Sequence, residues 1–209
     1  MKRDEKNLLS RKKILDSALA EFARQGYGLS SVNTICTAGG ISKGILYHYF
    51  KDKDDLYLLC VKDLFDSLSA YLSAKISNPS SPNASRLEQY FDARLQFFHE
   101  HPLYHKLFCD VVIAPPPHLE EEILESKAPF DALNIAVLTE LLRWEHLRTD
   151  ISLETAVDAF RLYQDFVNAR YQMEPQGTID LERHEQTCKR SLSILLYGVV
   201  EREEHEHES

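Results

Sequence analysis

Apolar residues along the chain recur at intervals of three and four, the period of helices that bury one face. From Ser10 the stretch SRKKILDSALAEFARQG places Ile14, Leu15, Ala18, Leu19, Phe22 and Ala23 on one side of a helix, with Ser10 as its expected N-cap and Gly26 past its end. Ser31 is placed to cap a short second helix, VNTICTA, in which Val32, Ile35 and Cys36 share a face. Gly39 and Gly40 permit the positive φ of a tight turn, Ile41 plugs it, and Ser42 caps a third helix, KGILYHYF. Helices this short hold only by packing on the first one, through Leu46 and Phe50 of the third.

The rest of the chain continues the pattern. A long helix is expected over 53–76, with Leu56, Leu59, Cys60, Leu64, Leu68, Tyr71 and Leu72 inward, ending before the polar loop NPSSPN. Further helices are expected near 84–99, 102–113, 118–126, 129–147, 152–172 and 180–202, punctuated by Pro102, Pro115 to Pro117, Pro129 and Pro175. No internal repeat or strand-period segment stands out. The expected fold class is therefore all-α, with a three-helix head over 1–52 and a larger helical body over 53–209.

Composition fits a globular chain: 209 residues, 44% hydrophobic and 27% charged, are enough for a sizeable core. The charged N-terminal stretch argues against a signal peptide, and no segment approaches the roughly 20 apolar residues of a membrane span. Cys36, Cys60, Cys109 and Cys188 are far apart and form no CxxC pair, so the expected setting is a reducing cytoplasm. Charge is unevenly placed. Residues 1–53 hold ten Lys or Arg against five Asp or Glu, a net of +5, which leaves −14 of the overall −9 on the remainder. A basic head on an acidic body suits a head that meets a polyanion.

Two short helices across a glycine turn form a helix-turn-helix, whose second member lies in the DNA major groove. With Leu46 and Phe50 inward, Lys43, Ile45, Tyr47 and His48 are left outside, and Gly44 lets the backbone come close to a partner. Ser42 leaves helix N-terminal amides for a phosphate, and Lys51 and Lys53 follow within reach of the same phosphates. Taken singly, Tyr47 can equally cover core and His48 can be a solvated surface residue.

The segment SVNTICTAGGISKGILYHYFKDKDDL, from Ser31 to Leu56, resembles the DNA-binding domain of the tetracycline-repressor (TetR) family of transcriptional regulators. The resemblance rests on Ile35, Cys36, Gly39, Gly40, Ile41, Ser42, Gly44, Leu46, Tyr47, Tyr49, Phe50, Lys53 and Leu56, and covers about a quarter of the chain. Gly39 and Cys36 stand where the family usually has alanine. The glycine is expected to lower local helix propensity by roughly 1 kcal/mol. The resemblance implies that Ser31, Tyr47 and Lys53 hold phosphates while Lys43, Gly44, Ile45 and His48 sit against base edges. Ile45 suits a thymine methyl, and Lys43 suits guanine O6 or N7.

One such module contacts few base pairs, so a homodimer on palindromic double-stranded DNA is expected. The last two long helices are the candidate interface, with Phe160, Val167, Leu192, Leu196 and Val199 on their stripes; such stripes equally build intramolecular core, and the resemblance implies a four-helix bundle there. Aromatic residues Phe91, Phe98, Phe108, Trp144, Tyr163 and Phe166 are candidates for lining an effector pocket, although such stripes also build plain cores. Relatives in the family usually enclose a small-molecule inducer. His99, His101 and His105 lack a completing carboxylate motif, so no metal, cofactor or catalytic residue is expected. The leading reading is a DNA-binding regulator, most simply a repressor released by a small-molecule inducer. A regulator whose body binds a protein partner or no ligand is the alternative, and a helical metal-dependent enzyme comes third.

Overall fold

A computed structural model of the chain describes residues 3–77, 86–143 and 147–172, together with the short runs 183, 186–191 and 194–195. The described elements are α1 (Arg3–Leu29), α2 (Val32–Gly39), α3 (Lys43–Tyr49), α4 (Lys53–Ser77), α5 (Arg86–Glu100), α6 (Pro102–Ile113), a 3-10 turn (Pro117–Leu119), α7 (Glu120–Arg143) and α8 (Leu153–Gln172). The fold is all-α, an N-terminal helix-turn-helix followed by a larger helical body. None of the described helices is long and apolar enough to cross a membrane.

Two features differ from the sequence pattern. The first helix begins at Arg3, so Ser10 lies inside it rather than capping it. Its regular part does end at Gly26, whose φ of 67° and ψ of 171° break the helical path before a last short turn to Leu29. The helices expected over 118–126 and 129–147 are one helix, α7, with Pro129 inside it. A proline there removes a backbone hydrogen bond at a cost of about 3 kcal/mol. Ile123 and Phe130, on either side of the proline, are both buried.

The chain divides into two compact units, residues 1–71 with 96–130 and residues 72–95 with 131–209. In the first, Ile14, Ala18 and Phe22 of α1 pack with Ile35 of α2, Leu46 of α3 and Leu56, Tyr57 and Leu64 of α4, all fully buried. Phe22 meets Tyr57 edge to face at 5.0 Å. Farther along, Phe65, Phe98, Phe108 and Phe130 form a ring-on-ring cluster with centroids 5.0–6.2 Å apart. Each such buried ring contributes about 1.5–3 kcal/mol. The three histidines near 100 divide between solvent and this packing: His101 leans on Phe97 at 4.7 Å and His105 stacks on Phe98 at 5.2 Å, while His99 is exposed.

In the second unit Leu142, Ala156 and Phe160 make a small core with Leu138, Leu147, Ile151, Leu153, Val157 and Leu195 around it. Phe160, expected at an interface, is 3% exposed and belongs to the chain's own core. The outward stripe of α8 is instead Leu162 and Phe166, 71% and 64% exposed, one helical turn apart. They lie about 200–240° round the helix from Phe160, on its opposite side. Exposed Phe166 therefore does not line an enclosed pocket within the chain. Of the other pocket candidates, Phe98 and Phe108 are in the first unit's aromatic cluster, and Phe91 packs on Tyr90 at 5.3 Å in the second. Tyr163 is partly buried on α8. Trp144, Leu192, Leu196 and Val199, and the side chain of Val167, lie outside the described residues.

Candidate DNA-binding surface

The helix-turn-helix is built from short-range hydrogen bonds that the sequence dictates. Ser31 has extended backbone angles, φ −131° and ψ 130°, and its Oγ accepts the Asn33 N–H at 3.1 Å, which caps α2. The Ser31 N–H in turn donates to the buried Glu21 carboxylate at 3.2 Å, fixing the start of α2 against α1. At the far end Gly40 takes the left-handed conformation, φ 56° and ψ 42°. Its N–H reaches the Thr37 carbonyl at 3.1 Å and the Ile41 N–H reaches Cys36 at 2.9 Å, the paired bonds of a Schellman turn. Gly40 supplies the only positive φ of this turn, because Gly39 completes α2.

The smallness of Gly39 has another cause. A Cβ at this position would lie 2.6 Å from Ile41 Cδ1 and 2.7 Å from Ser17 Oγ. The space an alanine methyl would fill is taken by the turn's own plug and by a serine of α1.

Ser42 starts α3, its Oγ accepting the Ile45 N–H at 3.3 Å. Leu46 and Phe50 point into the core as the spacing predicts, while Lys43, Gly44, Ile45, Tyr47 and His48 are exposed. Five of the eight expected contact residues thus share one outward face of a seven-residue helix. Ser31 and Ser42 stand at the two helix starts, spent as caps yet with a hydroxyl proton each to donate.

Lys53, the eighth, is more tightly held than its sequence position suggests. Its Nζ donates to the Tyr27 carbonyl at 2.9 Å and the Ser30 carbonyl at 3.4 Å, and it sits 4.0 Å from the centre of the Tyr27 ring. The carbonyls are those left over where α1 ends, so the ammonium acts as a C-terminal cap. Around it, the Tyr27 hydroxyl donates to Asp54 and meets His118 Nε2 at 3.1 Å, with His118 3.5 Å from Asp54. Burial, then the hydrogen bond to Asp54 and its charge, push the Tyr27 phenol up to about 12. Below this cluster Asp110 of α6 accepts from the Tyr27 N–H and the Tyr57 hydroxyl, each at 3.4 Å. Burial raises the Asp110 carboxyl above its ordinary value despite those two bonds.

Sequence reasoning missed the residues that hold the surface rather than form it. Glu21, Tyr27 and Asp110 carry polar atoms whose partners lie 10, 26 and 83 positions away, and nothing in local spacing signals such pairs. Among the described residues no group of three His, Cys, Asp or Glu is disposed to hold a metal ion.

Residues 14–60 match the family described as bacterial regulatory proteins, tetR family. The chain is 29% identical over 113 residues to the HTH-type transcriptional regulator RutR of Escherichia coli (strain K12), which covers 54% of this chain and 52% of RutR. It is 44% identical over 48 residues to the HTH-type transcriptional regulator AcrR of Shigella flexneri, which covers 23% of this chain and 22% of that protein. The chain thus spans about half the length of RutR and less of AcrR. In fold it resembles the transcriptional regulator FadR from Bacillus subtilis, solved in complex with stearoyl-CoA, with a TM-score of 0.67 over 90% of this chain and 99% of that one at 18% identity. Residues 14–60 thus form a helix-turn-helix of the kind that characterises the tetR family of bacterial regulatory proteins.

Proposed function

We propose that the chain is a transcriptional regulator that binds a palindromic operator in double-stranded DNA as a homodimer and is released by a small-molecule effector. The observation that carries the DNA-binding part is the outward face of α3: Lys43, Ile45, Tyr47 and His48 project from a helix whose opposite face, Leu46 and Phe50, is core. In this reading Lys43, Gly44, Ile45 and His48 meet base edges, and Ser31, Ser42, Tyr47 and Lys53 hold phosphates. Two of the three Lys53 donors serve the chain's own carbonyls, which leaves one for a phosphate.

The dimer reading draws support from the exposed apolar residues Leu162 and Phe166 of α8 and Ile194, at 71%, 64% and 62% exposure. Large apolar side chains left bare, as Leu162 and Phe166 are on one side of α8, are what a helix-bundle interface covers. The division of labour follows: residues 1–52 meet DNA, and 53–209 dimerise and take the effector. The effector reading draws on the FadR fold, which in Bacillus subtilis was solved with stearoyl-CoA, and on the polar Arg94 and Asn134 set among the apolar interior of the second unit. An effector that binds one separation of the two heads better than another shifts the population able to span both half-sites.

Selection of bound duplexes from a randomised DNA pool by the full chain tests the proposal. Enrichment of an inverted repeat with half-site centres about 34 Å apart, or a multiple of that, is the expected result. Enrichment of no sequence overturns it.

A further inference from the structure

The recognition helix α3 has only seven residues, and His48 stands near its C-terminal end, next to the last residue, Tyr49, and the Phe50 cap. A helix of that length has little stability of its own. Its end is nevertheless held, by α1. Tyr49, the last residue of α3, donates its hydroxyl to Asn7 Oδ1 at 3.1 Å. One turn further along the same face of α1, the Arg11 guanidinium lies 5.7 Å over the Phe50 ring. Residues 7 and 11 of α1 thus grip residues 49 and 50 in order, as neighbours four apart on a helix can. The grip exists because α1 starts at Arg3; a helix capped at Ser10 would not carry Asn7.

The Tyr49 ring does a second thing. It meets the His48 imidazole edge to face, with centroids 5.0 Å apart and planes at 73°. An exposed histidine otherwise samples several rotamers, and restricting them beforehand removes part of the ordering cost on binding. We propose that Asn7 and Tyr49 are positioning residues that set the His48 side chain for reading one base pair, so that sequence discrimination at His48 depends on the N-terminal turns of α1. The inference rests on the reading above in which His48 faces base edges.

The experiment uses the full chain and duplexes enriched by it from a randomised pool, together with every single-base-pair variant of the enriched site. Affinities are measured for His48→Ala, Tyr49→Phe, Asn7→Ala and the double variant His48→Ala/Tyr49→Phe, with thermal melting of each. His48→Ala is expected to relax discrimination at one base pair per half-site. Tyr49→Phe and Asn7→Ala are expected to relax it at that same base pair by about two- to tenfold, the worth of one neutral hydrogen bond, and to leave the other positions and random DNA unchanged, with melting lowered by at most about 4 °C. Tyr49→Phe is expected to add nothing once His48 is gone, which a merely structural role would not produce.

The inference is overturned if His48→Ala relaxes a base pair that Tyr49→Phe and Asn7→Ala leave sharp. It is equally overturned if those two variants weaken all positions alike, or if their effects add to that of His48→Ala. A His48→Ala variant that keeps full discrimination at every position removes the base-reading role itself, and the bracing with it, so the two failures are told apart.

Discussion

Lys53 and Tyr27 touch twice, the ammonium donating to the tyrosine's carbonyl at 2.9 Å and resting 4.0 Å from the centre of its ring. The contact joins the start of α4 to the end of α1, directly beside the Ser31 cap of α2. One side chain therefore serves the integrity of the helix-turn-helix and, in the proposed function, a phosphate. Lys53→Ala is expected to lower stability to denaturant by about 1–2 kcal/mol, from the lost carbonyl bonds and the cation–π contact. It is also expected to weaken binding to every duplex and to flatten the dependence of affinity on salt, since one fewer counterion is released. Unfolding curves and a salt titration read the two effects separately. A salt slope equal to that of the unsubstituted chain would remove the phosphate role and leave the capping role.

Ile45→Ala is expected to relax preference at one base pair of the selected site while affinity for random DNA stays as it was. Ile45 is exposed and offers only apolar contact. Equal losses on selected and random duplexes, measured side by side, would count against a base-edge position.

Gly39→Ala is expected to destabilise the chain by about 1–2 kcal/mol, against the usual gain in helix propensity from this exchange. The new methyl meets Ser17 Oγ and Ile41 Cδ1 inside 3 Å. Adding Ser17→Ala and Ile41→Val opens both sites and is expected to recover most of the loss in thermal melting. A single Gly39→Ala that melts above the parent chain would mean the neighbours yield freely.

Asp110 predicts a pH dependence. Its carboxyl is raised above the ordinary 3.8 by burial. The folded chain therefore binds this proton more tightly than the unfolded one, so stability falls as pH rises from about 4 through the raised value. Asp110→Asn keeps an oxygen to accept from Tyr57 and Tyr27 and cannot ionise. Its stability is expected to lack that decline and to equal or exceed the parent's at neutral pH, as denaturant midpoints across pH 4–8 would reveal. A decline of equal size in both chains would place the titration elsewhere.

Phe166→Asp is expected to shift the chain toward monomer, with the helical content intact, because the side chain is 64% exposed and supports no core. Sedimentation at micromolar concentration reads the assembly state. A parent chain already monomeric there would end the dimer reading.

The head of the molecule was legible because its determinants are local. Ser31, Gly40 and Ser42 act within three or four residues of themselves, and Leu46 and Phe50 mark the buried side of a helix too short to have any other. The start of α1 was not, since Ser10 is a good cap by type, and only the distant Tyr49 and Phe50 reveal that the helix runs past it to Arg3. Pro129 misled for a related reason: a local penalty was outweighed by Ile123 and Phe130, whose burial is a tertiary fact. For the candidate contact residues, orientation on α3 could be read from period alone. The second engagement of Lys53 with Tyr27 and Ser30 could not, because a lysine's reach spans many alternatives that spacing does not rank.

The Schellman turn and the inward pair Leu46 and Phe50 leave positions 43 and 45 outside both hinge and core. In the proposed function, a change of target through those two positions is a one-residue edit that the scaffold does not feel. Position 48 is different. Its ring leans on Tyr49, which is tied to Asn7, so retargeting there means rewriting residues 7, 48 and 49 as a set. Under the proposed function the address therefore has letters that change singly and one that changes only as a set, and drift toward new sites begins with the former.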